Sequence, residues 1–447
     1  VSDGVGQVET KTLLVADEER PLVLESGARL TRVEVAYETY GTLNADGSNA
    51  VYVCHALSGD AHAAGYHEGD RRPGWWDNII GPGRPLDTDR LFVVCANVLG
   101  GCKGTTGPGS IDPATGRPYG LRFPLLAVRD LVQVHRALLR ELGIGRLLAA
   151  VGGSLGGMQA LQWSLDHPGE VGGAVVVAAS GRLSAQNIAF SAVAREAIMR
   201  DPDFAGGDYY PESVAAAAGG STGESGAAGD GDGAGAGADA PPRPNRGLAL
   251  ARMIGHITYL SEESMRQKFG RRIQDAVEPR YGFDVDFEVE SYLAYQGQSF
   301  VERFDANTYL YMTRVMDYFD PFADPAYVQR QVAAAAASPA GATKYLVLSF
   351  DSDWRFSTEH AREIADELRG AGAPVTFREL SAPHGHDSFL FPVPEYHRTV
   401  AGFLDQLAGG AGGGDGSRGA AGAGGAGAGG ARAGGAREGA AGGRDAS

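Results

Sequence analysis

Short apolar runs rich in β-branched residues punctuate this chain at Val33–Tyr40, Ala50–Leu57, Leu91–Val98, Leu147–Gly152, Gly173–Ala179, Lys344–Phe350 and Val375–Leu380. Between them, apolar positions recur with the helical period over Leu125–Leu142, Leu155–Asp166, Thr358–Arg369 and Glu395–Leu407. Strands that are apolar throughout, alternating with helices, predict a mostly parallel sheet covered by helices on both faces. The alternation stops from about Gly181 to Pro325, where the pattern is helical only, as in Ser184–Arg200, Gly247–Leu260 and Phe287–Phe304. A helical insertion between two late strands of an α/β sheet predicts a cap over the strand ends, where ligands of such sheets bind.

Composition sharpens these boundaries. Residues from about 214 to 244 and from 408 to 447 are nearly all Gly, Ala, Asp, Ser, Pro and Arg. Such segments have almost nothing to bury against the entropy of ordering, so both are expected to be disordered. The expected organisation is an α/β core from residues 1–180 and 326–407, a helical cap from 181–325, and a tail from 408 onward. Formal charge is −16, from 39 basic and 55 acidic residues, with no basic stripe, which argues against a nucleic-acid binder. A polyanionic ligand would need a local basic pocket against this field. Cys54, Cys95 and Cys102 have no regular spacing, so neither a disulfide framework nor a zinc site is expected. The start of the chain is polar, and no apolar run reaches membrane-spanning length, which reads as a soluble cytoplasmic protein.

The candidate chemistry lies at Gly152-Gly153-Ser154-Leu155-Gly156, where an apolar strand pattern meets a helix pattern. This is the G-x-S-x-G elbow, a sharp strand-to-helix turn that lifts a serine hydroxyl clear of the sheet. Its glycines let strand and helix approach closely. An elbow serine needs a base, and the base a carboxylate, in the chain order Ser, Asp or Glu, His. The strand Lys344–Phe350 runs into Asp351 and Asp353, and Val375–Leu380 runs into His384 and His386. Each role therefore has two candidates. The oxyanion site is expected to use the Leu155 N–H and one from the loop His55–Asp60 after an early strand. His55 precedes the nucleophile and reads as a structural residue of that loop.

Longer motifs add a resemblance. CHALSGDAH at Cys54–His62, WWDNIIGPGRPLDT at Trp75–Thr88, NVLGGCKGTTGPGSIDPATGRPYG at Asn97–Gly120 and GGSLGGMQALQW at Gly152–Trp163 are similar to motifs of the homoserine O-acetyltransferases, acyl-CoA-dependent members of the α/β-hydrolase fold. So are RGLALARMIGHITYLS at Arg246–Ser261, SYLAYQGQSFVERFDANTYLYMT at Ser291–Thr313, SDWRFS at Ser352–Ser357 and GHDSFL at Gly385–Leu390. The resemblance covers residues 10–407 apart from the low-complexity insert. It implies that the acid is Asp353, the histidine His386, and the second oxyanion donor the Leu57 N–H. It also implies that Arg252, Tyr259 and Asp387 hold the amino-acid substrate, and that two copies pair through cap helices. The acid motif departs from the family pattern, with Arg355 where leucine is often seen.

The resemblance implies transfer of the acetyl group of acetyl-CoA to L-homoserine through an acetyl-serine enzyme, the opening step of methionine synthesis. Acetyl-CoA would be a co-substrate, and no metal or bound cofactor is expected. A succinyl donor or a serine acceptor within the same family, and a plain serine esterase outside it, are the alternatives.

Overall fold

The computed structural model describes residues 4–211, 242–274 and 281–411. Most of the predicted low-complexity insert and the tail beyond Ala411 lie outside these residues. Eight strands form one sheet: β1 (Lys11–Ala16), β2 (Val33–Tyr40), β3 (Ala50–Cys54), β4 (Phe92–Ala96), β5 (Leu147–Gly153), β6 (Val171–Val177), β7 (Lys344–Phe350) and β8 (Val375–Leu380), in the order β1-β2-β4-β3-β5-β6-β7-β8. Every pairing from β4 to β8 is parallel, while β1–β2 and β2–β4 are antiparallel. The predicted α/β-hydrolase architecture is thus the observed one. The half-exposed edge strand β1 escaped the sequence reading because its KTLLVA segment has no run of buried positions.

The central strands are apolar throughout because both faces are covered. Along β3, Tyr52 and Cys54 join the core on one face, and Val51 and Val53 join that on the other. The first face packs on α1 (Val128–Glu141), α2 (Leu155–Asp166) and α9 (Thr358–Gly370). The second packs on Trp76 and on α10 (Pro394–Ala411), through Tyr396, Val400, Phe403 and Leu404. Helix α10 continues to Ala411, a turn past the expected start of the tail at 408, so residues 408–411 are a correction to that boundary.

Between β6 and β7 come α3 (Ala185–Met199), α4 (Asn245–Tyr259), α5 (Glu262–Lys268), α6 (Glu288–Val301), α7 (Ala306–Asp317) and α8 (Pro325–Ala337), with no sheet strand among the described residues. A buried ion pair, Arg195 to Asp317 at 2.8 Å, ties α3 to α7. Among the described residues, no helix is long and apolar enough to cross a membrane.

The closest packing in the sheet is at the turn from β5 into α2. A Cβ on Gly156 would overlap the carbonyl oxygen of Cys54, and one on Gly152 would overlap the Gly156 backbone. Overpacking against backbone has no side-chain rotamer to relieve it, so Gly156→Ala is expected to lose about 3 kcal/mol of stability, read as a lower urea midpoint. Gly145→Ala, in open space, serves as the control.

Candidate active site

Ser154 ends β5 with φ 58° and ψ −125°, outside the regions open to ordinary L-residues. The strain is held from both sides. Its N–H donates to Val177 O at 2.9 Å, and its carbonyl accepts the first helical bond, from Met158 N at 3.1 Å. Its side chain is 8 % exposed. Among the described residues, its hydroxyl makes no hydrogen bond.

The structure separates the paired candidates. The carboxylate of Asp353, buried at 3 % exposure, accepts from His386 Nδ1 at 2.8 Å through Oδ2. Its Oδ1 accepts the backbone N–H groups of Arg355 and Phe356 at 3.0 and 2.9 Å. Asp351 instead receives the Ala382 N–H at 3.1 Å and braces the loop. His384 stacks on Phe391 at 4.3 Å, whereas the buried His386 ring sits among Phe356, Phe389 and Tyr259. His386 reaches the elbow through its own 3-10 turn, Gly385–Leu390: a Cβ on Gly153 would run into the Phe389 ring. Two side chains of the Trp75–Thr88 motif hold that turn. Trp76 Nε1 donates to Phe389 O at 2.9 Å, and Asn78 Nδ2 to Leu390 O at 3.1 Å.

The expected oxyanion donors come from two segments packed against each other. The Leu57 N–H has no partner among the described residues, and Leu155 begins α2, where a helix leaves its N–H groups free. A buried chain of hydrogen bonds sets the loop bearing Leu57. Tyr52 OH meets His135 Nδ1 at 2.7 Å, His135 Nε2 meets Gln159 Oε1 at 2.8 Å, and Gln159 Nε2 donates to the carbonyls of His55 and Leu155. Burial pushes His135 down to about 4. Burial likewise lowers His55, whose Nε2 accepts the Val98 N–H at 3.0 Å while Nδ1 faces Ala56 O at 2.7 Å. His55 is therefore a neutral brace of this loop.

The end of α4 lies across the acid and histidine loops. Ser261 donates to Pro383 O, Trp354 Nε1 to Leu260 O at 3.1 Å, and Arg355 Nη1 to Thr258 Oγ1 at 2.8 Å. This brings Tyr259 to 5.8 Å from the His386 ring. Arg252, two turns earlier on α4, lies 5.9 Å from the Tyr259 ring and 4.6 Å from the Phe300 ring. Its buried Nε has no hydrogen-bond partner among the described residues. Burial raises the Asp387 carboxyl above its ordinary value, with His386 and Arg252 opposing the rise.

Two further cations were not assigned from sequence. Arg355, 8 % exposed, lies 5.4 Å from the Tyr259 ring. Arg303 reaches Ser58 O in the Leu57 loop at 3.4 Å, and burial and Arg252 lower its pKa. Among the described residues, no carboxylate lies within 4 Å of the guanidinium of Arg252, Arg303 or Arg355. Burial and then Arg252, Arg303 and Lys268 push His256 down to about 3. Against a chain charge of −16, this is a local positive field suited to an anion. Arg355 was visible in sequence as a departure from the family motif, while Arg303 carried no signal there.

Residues 49–222 match a family described as the alpha/beta hydrolase fold. Homoserine O-succinyltransferase of Magnetococcus marinus is 53% identical over 401 residues, covering 90% of this chain and 95% of that one. Homoserine O-acetyltransferase of Methanohalobium evestigatum is 49% identical over 90% of this chain and 74% of its own. Among solved structures, homoserine O-acetyltransferase from Bacillus anthracis superposes with TM-score 0.74 at 26% identity, over 89% of this chain and 98% of that one. Esterase E22 superposes with TM-score 0.73 at 27% identity, over 89% of this chain and 100% of its own.

The hydrogen bond from His386 to Asp353 predicts the behaviour of a serine-directed fluorophosphonate probe. Labelling of Ser154 is expected to slow by about 10⁴-fold in Asp353→Asn, which turns the imidazole to the wrong tautomer. It should remain near the parent rate in Asp351→Asn, measured by intact mass against time.

Proposed function

This chain belongs to the homoserine O-acyltransferases of the α/β-hydrolase fold, and we propose that it carries an acyl group from acyl-CoA to L-homoserine through an ester on Ser154. In the first half, His386 takes the Ser154 proton as Oγ attacks the thioester carbonyl. The Leu57 and Leu155 N–H groups stabilise the tetrahedral oxyanion. The intermediate collapses with cleavage of the carbon–sulfur bond, and His386 returns the proton to the leaving thiolate, releasing CoA. In the second half, His386 takes the proton of the homoserine hydroxyl as that oxygen attacks the acyl-serine ester. Collapse breaks the bond to Ser154 Oγ, which recovers the proton from His386. Asp353 holds the imidazole in the tautomer with Nδ1 protonated and offsets the charge it gains.

The observation that carries this reading is the pair of half-buried Arg252 and buried Arg355 beside His386 and Asp353, neither with a carboxylate partner among the described residues. A guanidinium can grip a carboxylate in two-pronged fashion, and Arg252 with Tyr259 suits the α-carboxylate of homoserine. Asp387, which burial destabilises as an anion, gains from pairing with the α-ammonium.

Arg355 bears on the acyl group. An acetyl group has no charge to meet a buried guanidinium, whereas a succinyl group ends in a carboxylate. We therefore favour succinyl-CoA as donor over the acetyl-CoA expected from the motifs. The name of the Magnetococcus marinus relative supports that choice, and that of the Methanohalobium evestigatum relative keeps acetyl transfer as the second reading.

A strip of exposed apolar side chains supports pairing of two copies through the cap helices. Leu250 and Ile257, seven apart on α4, are 48 % and 46 % exposed, and Tyr295 on the neighbouring α6 is 63 % exposed.

Incubation with succinyl-CoA is expected to add about 100 Da to the intact protein, the mass of one succinyl ester. The adduct should be absent in Ser154→Ala and discharged by homoserine but not by water at a comparable rate. An adduct formed only from acetyl-CoA, at about 42 Da, would reverse the choice of donor. Arg355→Leu should lower kcat/KM for succinyl-CoA by about 10–100-fold, the worth of a charged hydrogen bond, and leave acetyl-CoA unaffected. Leu250→Asp with Ile257→Asp should halve the mass measured by light scattering.

A further inference from the structure

Away from the arginine cluster, the sheet buries a second set of ionisable groups that the acyl-transfer chemistry does not use. Glu38 lies in β2 with 0% exposure. A carboxylate in that position needs a cation, and among the described residues no Arg or Lys lies within 4 Å of it. Its neighbours are two imidazoles from the loop after β3: His67 Nε2 is 2.7 Å from Oε1, and His62 Nδ1 is 3.1 Å from Oε2. Thr10 donates to Oε1 at 2.7 Å and lies 3.3 Å from His67 Nε2, and Tyr40 donates to Oε2 at 2.8 Å.

The remaining ring nitrogens face a second carboxylate. Asp70 Oδ2 is 3.7 Å from His62 Nε2 and 3.5 Å from His67 Nδ1. The two rings lie face to face, 3.9 Å between centroids and tilted by 30°, so each offers one nitrogen to Glu38 and the other to Asp70. His62 Nε2 is buried and, among the described residues, makes no hydrogen bond. One donor atom each from Glu38, His62 and His67 lie within 4.8 Å of one another.

We propose that Glu38, His62 and His67 form a binding site for a divalent transition-metal ion of the zinc class, with Asp70 as the outer carboxylate that orients both imidazoles. Two imidazoles and a carboxylate, with room for a hydroxyl or water oxygen, are a donor set that zinc and its neighbours in the Irving–Williams series accept. A carboxylate on the far nitrogen of a ligating histidine is the usual outer partner of such sites. The charges match as well: two carboxylates and two neutral imidazoles sum to the negative of a divalent cation. His67, with 36% of its side chain exposed, is the ring that turns its Nε2 lone pair onto the ion. The site would join β2 to the loop that carries Leu57 five residues before His62. Sequence inspection does not expect it, because Glu38 sits on β2, 24 residues before His62, and the histidines sit in the loop after β3.

The test uses the untagged full-length chain after chelator treatment, titrated with Zn²⁺ by calorimetry and with Co²⁺ by visible absorption. One ion per chain is expected, with a dissociation constant at or below about 1 μM, a rise in Tm, and a Co²⁺ ligand-field band. His67→Ala, which changes the more exposed ring, should abolish the band while far-UV circular dichroism is unchanged. Asp70→Asn keeps every donor and should weaken binding by about 10–100-fold. Absence of binding below about 100 μM, or equal affinity in the parent and His67→Ala, would overturn the assignment.

Discussion

The strained backbone of Ser154 is the constraint on which the site depends. At φ 58° the chain turns from β5 into α2 within one residue. That turn is possible only where β3, β5 and α2 nearly touch. Gly152 and Gly156 allow that contact, and the bond from Ser154 N to Val177 O anchors the turn to the next strand. The same closeness brings the loop after β3 against the start of α2, where Gly156 lies against the carbonyls of Cys54 and His55. Strain of this kind persists only when surrounding structure over-determines it, and here the sheet, the helix and the Phe389 ring each contribute.

Around that turn the polar groups divide by burial and charge. His55, His135 and Gln159 form a neutral chain that braces a loop, with burial holding the imidazoles unprotonated. Asp353 differs, because two backbone N–H groups and an imidazole satisfy its charge. The arginines of the α4 end and its surroundings are left without carboxylates, so in a chain of net charge −16 the mouth of the site is locally positive.

The helices between β6 and β7 shape this site as well as cover it. Contacts from Thr258, Leu260 and Ser261 onto Arg355, Trp354 and Pro383 tie the end of α4 to both the acid loop and the histidine loop. Gly385, at φ 70°, permits the approach, since a Cβ there would meet the backbone of residues 259–261. A shift of α4 would then move Arg252, Tyr259 and the histidine loop together.

The sequence by itself determined seven of the eight strands, the elbow and the chain order of the serine, aspartate and histidine candidates. These are local properties: strands buried on both faces are apolar throughout, and a strand-to-helix turn this tight needs glycines at fixed offsets. The local pattern left Asp351 and Asp353 level, and His384 and His386 as well, because neighbours two residues apart share it; only the resemblance of the longer motifs pointed to Asp353 and His386. Only the tertiary structure set Asp353 on His386, through the way two separate loops meet at the ends of β7 and β8. It alone gathered Arg252, Arg303 and Arg355, from one helix and two loops, and placed Glu38 against His62 and His67. Charge in the sequence is a sum, and whether a cation meets a carboxylate or is left to meet a ligand depends on distances that exist only once the chain is folded.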